Sequence, residues 1–200
     1  MKHFFRSYIP EEWSTGVDHI QTSYFYFNNF LSEEDCEVIK DWGHNATLQK
    51  GTIMASSDQK IAKQVRTSDI CWMPTDGWEW LYDKIYSSAE RTNKWNYDIR
   101  GFGELIQFTK YDASEEPAFY NTHRDTGPNH QHRKISFVIL LDDPEDFEGG
   151  EFNLESVGNI DLLKKGTAIM FPSFMSHQVL PVTKGIRHSL VCWISGPKLR

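Results

Sequence analysis

Apolar positions follow two different rhythms along this chain. Up to about residue 96 they recur at helical spacing. Cys36, Ile39 and Trp42 return every third residue behind Ser32-Glu33-Glu34-Asp35, which resembles a capping box, and Gly43 supplies a plausible stop. A second helix is predicted from Thr75 or Asp76, with Trp78, Leu81, Tyr82, Ile85 and Ala89 on one stripe. Each stripe needs a sheet or another helix to cover it. Beyond residue 96 the pattern changes to short β-rich runs at 97–102, 104–111, 119–123, 134–141, 151–154, 167–171, 177–182 and 187–194. Turn residues punctuate them: Gly127-Pro128, Asp142-Asp143-Pro144, Gly149-Gly150, Gly158-Asn159, Gly166, Pro172-Ser173 and Gly185. Many short strands without helices between them predict a mainly β fold of the α+β kind. A cupin-like jelly roll is the favoured variety, with the N-terminal helices packed on its outer face.

Composition adds limits rather than detail. With 200 residues, a single domain is expected, divided into a support region at 1–96 and a core at 97–200. Twenty-one basic and 28 acidic side chains leave a net charge of −7. That argues against a nucleic-acid partner held by phosphate neutralisation. Cys36, Cys71 and Cys192 are too few and too scattered for a disulfide framework or a thiolate zinc site, so a reducing compartment is expected. The apolar run after Met1-Lys2-His3 stops after two residues, and no stretch is long enough to span a bilayer. The expectation is a soluble cytoplasmic protein without a membrane partner.

The candidate chemistry lies in the second half. His123-Arg124-Asp125 puts an imidazole and a carboxylate two residues apart, which on an extended chain sends both to one face. His177 restarts a strand after the 171–176 turn, and Arg187 follows in the next run. Two histidines and a carboxylate on one face of an ion leave open positions, as non-haem Fe(II) requires when it must hold a cosubstrate and oxygen together. A keto diacid could chelate such an ion through its carboxylate and keto oxygen. Its far carboxylate would then need a cation inside an apolar barrel, and Arg187 meets that need with a bidentate fork.

From about residue 97 to 197 the chain resembles the Fe(II)- and 2-oxoglutarate-dependent dioxygenases, in their prolyl 4-hydroxylase-like branch. The resemblance rests on Tyr111, Tyr120-Asn121-Thr122-His123-Arg124-Asp125, Arg133-Lys134-Ile135-Ser136, Glu148-Gly149-Gly150-Glu151-Phe152, Gly166 with Phe171-Pro172-Ser173, and the stretch from His177 through Arg187-His188-Ser189 to Trp193. It implies a double-stranded β-helix, with His123, Asp125 and His177 as iron ligands. Arg187 would anchor 2-oxoglutarate with help from the Tyr111 hydroxyl. It further implies O2 as cosubstrate, ascorbate as a reductant, and hydroxylation of a prolyl residue in a peptide or protein, coupled to conversion of 2-oxoglutarate into succinate and CO2. Val65-Arg66-Thr67-Ser68 looks like the strand that precedes the core in this branch, and Arg66 and Trp193 become candidate substrate residues.

Two departures stand out. Leu140 occupies a position where many relatives carry a tyrosine that touches 2-oxoglutarate, and the segment 112–119 is longer and more acidic than the usual turn. Segments 59–66 and 114–118 are candidates for mobile loops around a peptide. The rival substrate is a free amino acid or other small metabolite. A different class of rival is a jelly-roll metal-binding module or sensor without turnover. Nucleic-acid demethylases of the same superfamily would place a second arginine six residues after the first, where this chain has Trp193. His130-Gln131-His132 offers another same-face pair, read as a solvated loop, and His188 should point away from Arg187.

Overall fold

A computed structural model describes residues 23–51, 64–160 and 164–198. In chain order its elements begin with β1 (Phe25–Phe27), α1 (Glu33–Asn45), β2 (Gln49–Lys50), β3 (Asp69–Met73) and α2 (Glu79–Thr92). The core strands follow as β4 (Gly101–Phe102), β5 (Ile106–Asp112), β6 (Ala118–His123), β7 (Arg133–Leu140), β8 (Phe147–Gly149), β9 (Phe152–Leu154), β10 (Gly158–Ile160), β11 (Ala168–Pro172) and β12 (His177–Ser195).

Two-residue alternation explains how these strands serve two cores. On β7, Ile135, Phe137 and Ile139 pack with Cys36 and Ile39 of α1 and with Leu81 and Ile85 of α2, whereas Val138 and Leu140 face an inner core. On β12, Leu190, Cys192 and Ile194 take the helix side, while Arg187, Ser189, Val191 and Trp193 line an internal cavity. The larger sheet runs β1-β11-β7-β12-β5-β3-β2, with β4 on the end of β12. A smaller sheet of β6, β8, β9 and β10 gathers around the first half of β12. Phe152, Val179 and Val182 of this smaller sheet share the inner core with Val138, Ile169 and Phe171 of the larger one. This is the expected jelly roll, with both helices on its outer face.

The helices follow the predicted stripes with shifted ends. The Ser32 hydroxyl accepts from Asp35 N at 3.0 Å and the Asp35 carboxylate accepts from Ser32 N at 3.1 Å, closing the capping box. Gly43 does not stop α1, which continues to Asn45. The glycine is there for packing, because a Cβ would overlap the Phe108 ring. The second helix starts at Glu79 rather than Thr75 or Asp76, since Gly77 takes a left-handed φ of 81° in the turn before it. The Tyr82 hydroxyl then donates to Met73 O at 2.9 Å and accepts from Ile106 N at 2.8 Å, tying α2 to the ends of β3 and β5.

Among the strands, 97–102 shrinks to Gly101–Phe102, and the stretch around Arg66 contributes only an isolated bridge to Tyr120 before β3 begins at Asp69. Gly158-Asn159 lies in β10, not in a turn. The largest correction concerns 177–182 and 187–194, which form one strand. Gly185, read as a turn, has φ 76° inside it, and a Cβ there would run into the Asp146 carbonyl. Register shifts lie between His177 and Lys184, so β12 leaves the small sheet and enters the large one without breaking.

Candidate active site

His123 closes β6 and His177 opens β12, directly opposite each other in register, with ring centroids 4.2 Å apart. Asp125 follows in the turn, where its N–H donates to Ser173 O at 3.1 Å. Its carboxylate lies 3.7 Å from His123 Nε2 and 3.4 Å from His177 Nε2. Each histidine Nδ1 is held by a carbonyl two residues back, Asn121 at 2.8 Å and Met175 at 2.9 Å. That puts the ring proton on Nδ1 and leaves the Nε2 lone pair facing the shared space. The Ser136 hydroxyl donates at 2.6 Å to Oδ2, the carboxylate oxygen nearer His177, and sits 3.0 Å from the Ser173 hydroxyl.

The electrostatics suit cation binding. Burial pushes the His123 imidazolium down, and the neighbouring His177 adds to this, to about 3, so the ring is neutral at physiological pH. Burial alone would raise the Asp125 carboxyl, but His177, His123 and the Ser136 hydrogen bond hold it below its ordinary value. An ionised carboxylate and two imidazole lone pairs thus converge within 4.8 Å, which could hold a divalent metal.

These residues line a cavity of about 690 Å³ that also takes in Arg187, Tyr111, Arg66 and Trp193. Arg187 is 1% exposed, and its Nη1 has no hydrogen-bond partner among the described residues. Burial lowers its pKa, opposed by Tyr111, its register partner on β5, whose ring centre lies 5.5 Å from the guanidinium carbon. An open donor on a buried cation is costly unless an anion completes it. The cavity therefore fits a metal at one end and a carboxylate at the other, the demands of Fe(II) and a keto diacid. Leu140 packs in the inner core opposite Ser189, so no tyrosine hydroxyl comes from that position.

The two candidate substrate residues sit in the same cavity with different surroundings. Arg66 is buried, donates to Ser68 Oγ and to Gln107 Oε1 at 2.9 Å, and lies 4.6 Å from the Tyr120 ring centre. The Trp193 indole N–H is near enough to Asp125 to help keep its carboxyl low but makes no hydrogen bond of good geometry. Sequence reading missed the clamp beside it. Arg133 stacks 3.6 Å from the Trp193 ring centre, forks Glu104 at 2.6 and 2.8 Å, and donates to the Asp125 carbonyl at 3.2 Å. The alternation of β7 turns Ser136 inward with Val138, whereas Arg133 reaches the cavity at the end of the strand, where the register with β12 shifts, and no local signal pairs it with Glu104. His188 lies on the opposite face as expected, with Nδ1 3.0 Å from Asp142. Of the candidate loops, 59–63 lies outside the described residues, while 114–118 is strapped to Thr67, which donates to the Phe119 and Pro117 carbonyls at 3.0 and 3.3 Å. No helix among the described residues is long and apolar enough to cross a membrane.

Fold and site define a jelly roll with a candidate metal-binding centre, and comparison with known proteins relates it to a family. Residues 106–195 match the family model of the 2OG-Fe(II) oxygenase superfamily. Fe(II) and 2-oxoglutarate are the metal and cosubstrate which that family implies. A PKHD-type hydroxylase from Synechococcus sp. (strain JA-2-3B'a(2-13)) is 39% identical over 98 residues, 46% of this chain and 44% of the relative, so the match spans less than half of either. A PKHD-type hydroxylase from Teredinibacter turnerae is 32% identical over 99 residues, with the same coverage. Among solved structures, a Pseudomonas putida prolyl-4-hydroxylase superposes with a TM-score of 0.68 at 18% identity, over 92% of this chain and 98% of that one. A Trichoplax adhaerens prolyl hydroxylase in complex with a hypoxia inducible factor peptide fragment gives 0.70 at 20% identity, over 89% and 86%. At these identities the structural likeness establishes the fold.

Proposed function

We propose that this chain is an Fe(II)- and 2-oxoglutarate-dependent hydroxylase acting on a prolyl residue in a peptide or protein. The observation that carries the reading is the pairing, in one cavity, of the His123, Asp125 and His177 cluster with the buried, open-handed Arg187. His123, Asp125 and His177 would hold the iron, and Arg187 beside Tyr111 would take the far carboxylate of 2-oxoglutarate. When bound, the pair supplies oxygen activation, with 2-oxoglutarate converted to succinate and CO2 as a C–H bond becomes C–OH. The chain's own residues orient and exclude: Ser136 fixes the Asp125 carboxylate, the Asn121 and Met175 carbonyls fix the rings, and Phe152, Val138 and Val179 keep the floor dry.

The peptidyl substrate is supported by the Trichoplax adhaerens neighbour, whose structure holds a peptide fragment, and by the side of the cavity lined by Arg66, Trp72 and Trp193. Anaerobic addition of Fe(II) and 2-oxoglutarate should produce a visible charge-transfer band in the wild type and none in His177→Ala. Admission of O2 should then yield succinate in the presence of proline-containing peptides. Absence of the band in both proteins would move the non-catalytic binding module to the front. A band with turnover of free amino acids but no peptide would keep the cofactor chemistry and overturn the substrate.

A further inference from the structure

Glu104, His130 and His132 form a second convergence, at the rim of the same cavity. Their carboxylate and ring nitrogens lie within 4.8 Å of one another, and all three residues are half-buried. The segment is pinned by its own backbone. His130 N donates to Gly127 O at 2.9 Å, its carbonyl accepts from the Thr126 hydroxyl at 3.1 Å, and the His132 carbonyl accepts from Gly196 N at 2.9 Å. Gly103, next to Glu104 in the chain, leaves room for the His132 ring, since a Cβ there would sit 3.0 Å from its Cδ2. His130 Nδ1 already stands 3.4 Å from a Glu104 oxygen. Two imidazoles and one carboxylate are the donor set of a tetrahedral zinc-type site with one position left for water.

Arg133 competes for the same carboxylate. Its fork uses both Glu104 oxygens, but each carboxylate oxygen has two lone pairs, so the oxygen that faces His130 can still coordinate. A divalent ion on that oxygen repels the guanidinium and weakens the fork. Arg133 also stacks on Trp193 and holds the Asp125 carbonyl, so the disturbance reaches the centre of the cavity.

We propose that Glu104, His130 and His132 make a second divalent-metal site, of the borderline-soft class typified by zinc, whose occupancy loosens the Arg133 clamp on Trp193. The site stands independently of the function proposed above; only its effect on turnover rests on that reading. The test is a zinc titration of the full chain against a chromophoric chelator, in the Asp125→Ala/His177→Ala background that removes the first cluster. One equivalent should bind, and adding His132→Ala should weaken it by at least about tenfold. No zinc bound by the double variant overturns the proposal, as does binding indifferent to His132→Ala. Should the double variant fail to fold, His132→Ala alone must lower the zinc stoichiometry of the otherwise intact chain by one, and an unchanged stoichiometry overturns it equally. In protein loaded anaerobically with Fe(II) and 2-oxoglutarate, rim zinc should leave the visible band in place while weakening equilibrium binding of a proline-containing peptide. Loss of the band would show displacement of iron instead, and refute coupling through Arg133.

Discussion

Replacing Arg187 with methionine should make the ligand-free protein more stable while destroying its response to 2-oxoglutarate. The guanidinium is 1% exposed and Nη1 meets no acceptor among the described residues. A buried donor left unsatisfied costs about 1–3 kcal/mol. Swapping a buried charge for an apolar group of similar volume is neutral to stabilising by about 1–4 kcal/mol. Methionine keeps most of the stem that packs beside Gly150 and Val182, so little cavity opens, and a net gain of about 1–3 kcal/mol is expected. In a domain of this size each kcal/mol moves the melting temperature by about 2–4 °C. Thermal unfolding without ligand, then with Fe(II) and saturating 2-oxoglutarate under anaerobic conditions, separates the two halves. The wild type should gain about 2.7 kcal/mol at a hundredfold excess over Kd, and Arg187→Met should gain only what iron alone provides. A ligand-free variant less stable than the wild type would refute the reasoning about the orphaned donor. Retained stabilisation by 2-oxoglutarate would show that another group anchors the acid.

Further outcomes follow from neighbouring features. Ser136→Ala removes the 2.6 Å hydrogen bond to Asp125 and should weaken iron binding by about 10–100-fold in a metal titration; unchanged affinity would mean the carboxylate is positioned from elsewhere. Gly43→Ala should gain about 1 kcal/mol from helix propensity on an exposed helix, yet here overlap with Phe108 should cost about 1–3 kcal/mol in urea unfolding, and a net gain would show that the ring can move aside. For His123, the folded pKa near 3 lies below the unfolded value near 6.5, so the unfolded chain takes up the proton first and stability falls as pH drops through that window. The metal-free protein should lose up to about 1.4 kcal/mol per pH unit from this group between pH 6 and 4, and His123→Gln should flatten the slope. An equal slope in both proteins would assign the acid sensitivity to other groups.

The parts legible in the sequence were those with a short period. The Ser32 to Asp35 box, the α2 stripe and the alternation on β5, β7 and β12 each involve residues within a few positions of one another, and local geometry decides them. His123 and Asp125 were legible for the same reason, and His177 and Arg187 because a histidine at a strand start and a cation in an apolar run are conspicuous. What escaped depends on distant contacts. Gly43 looks like a stop until Phe108 is known to lie against it, and Gly185 looks like a turn until Asp146 is known to press on it. β1, β2 and β3 exist as strands because β11, β3 and β5 respectively offer them edges, which no pattern within those stretches reveals. The Glu104 and Arg133 fork joins two elements across the fold and leaves no local trace.

Continuity of β12 also bears on how this fold can tolerate a change in chain length. His177, Arg187 and Trp193 sit on a single strand, so one inserted residue between the first two would turn everything beyond it to the opposite face. Arg187 and Trp193 would swing toward the helices, and Leu190 and Cys192 into the cavity. Deletions and insertions should therefore be purged from this strand, while the turn between β9 and β10 can absorb them. Loop grafting intended to alter specificity belongs at that turn or in the 112–118 segment, with the parity of β12 left untouched.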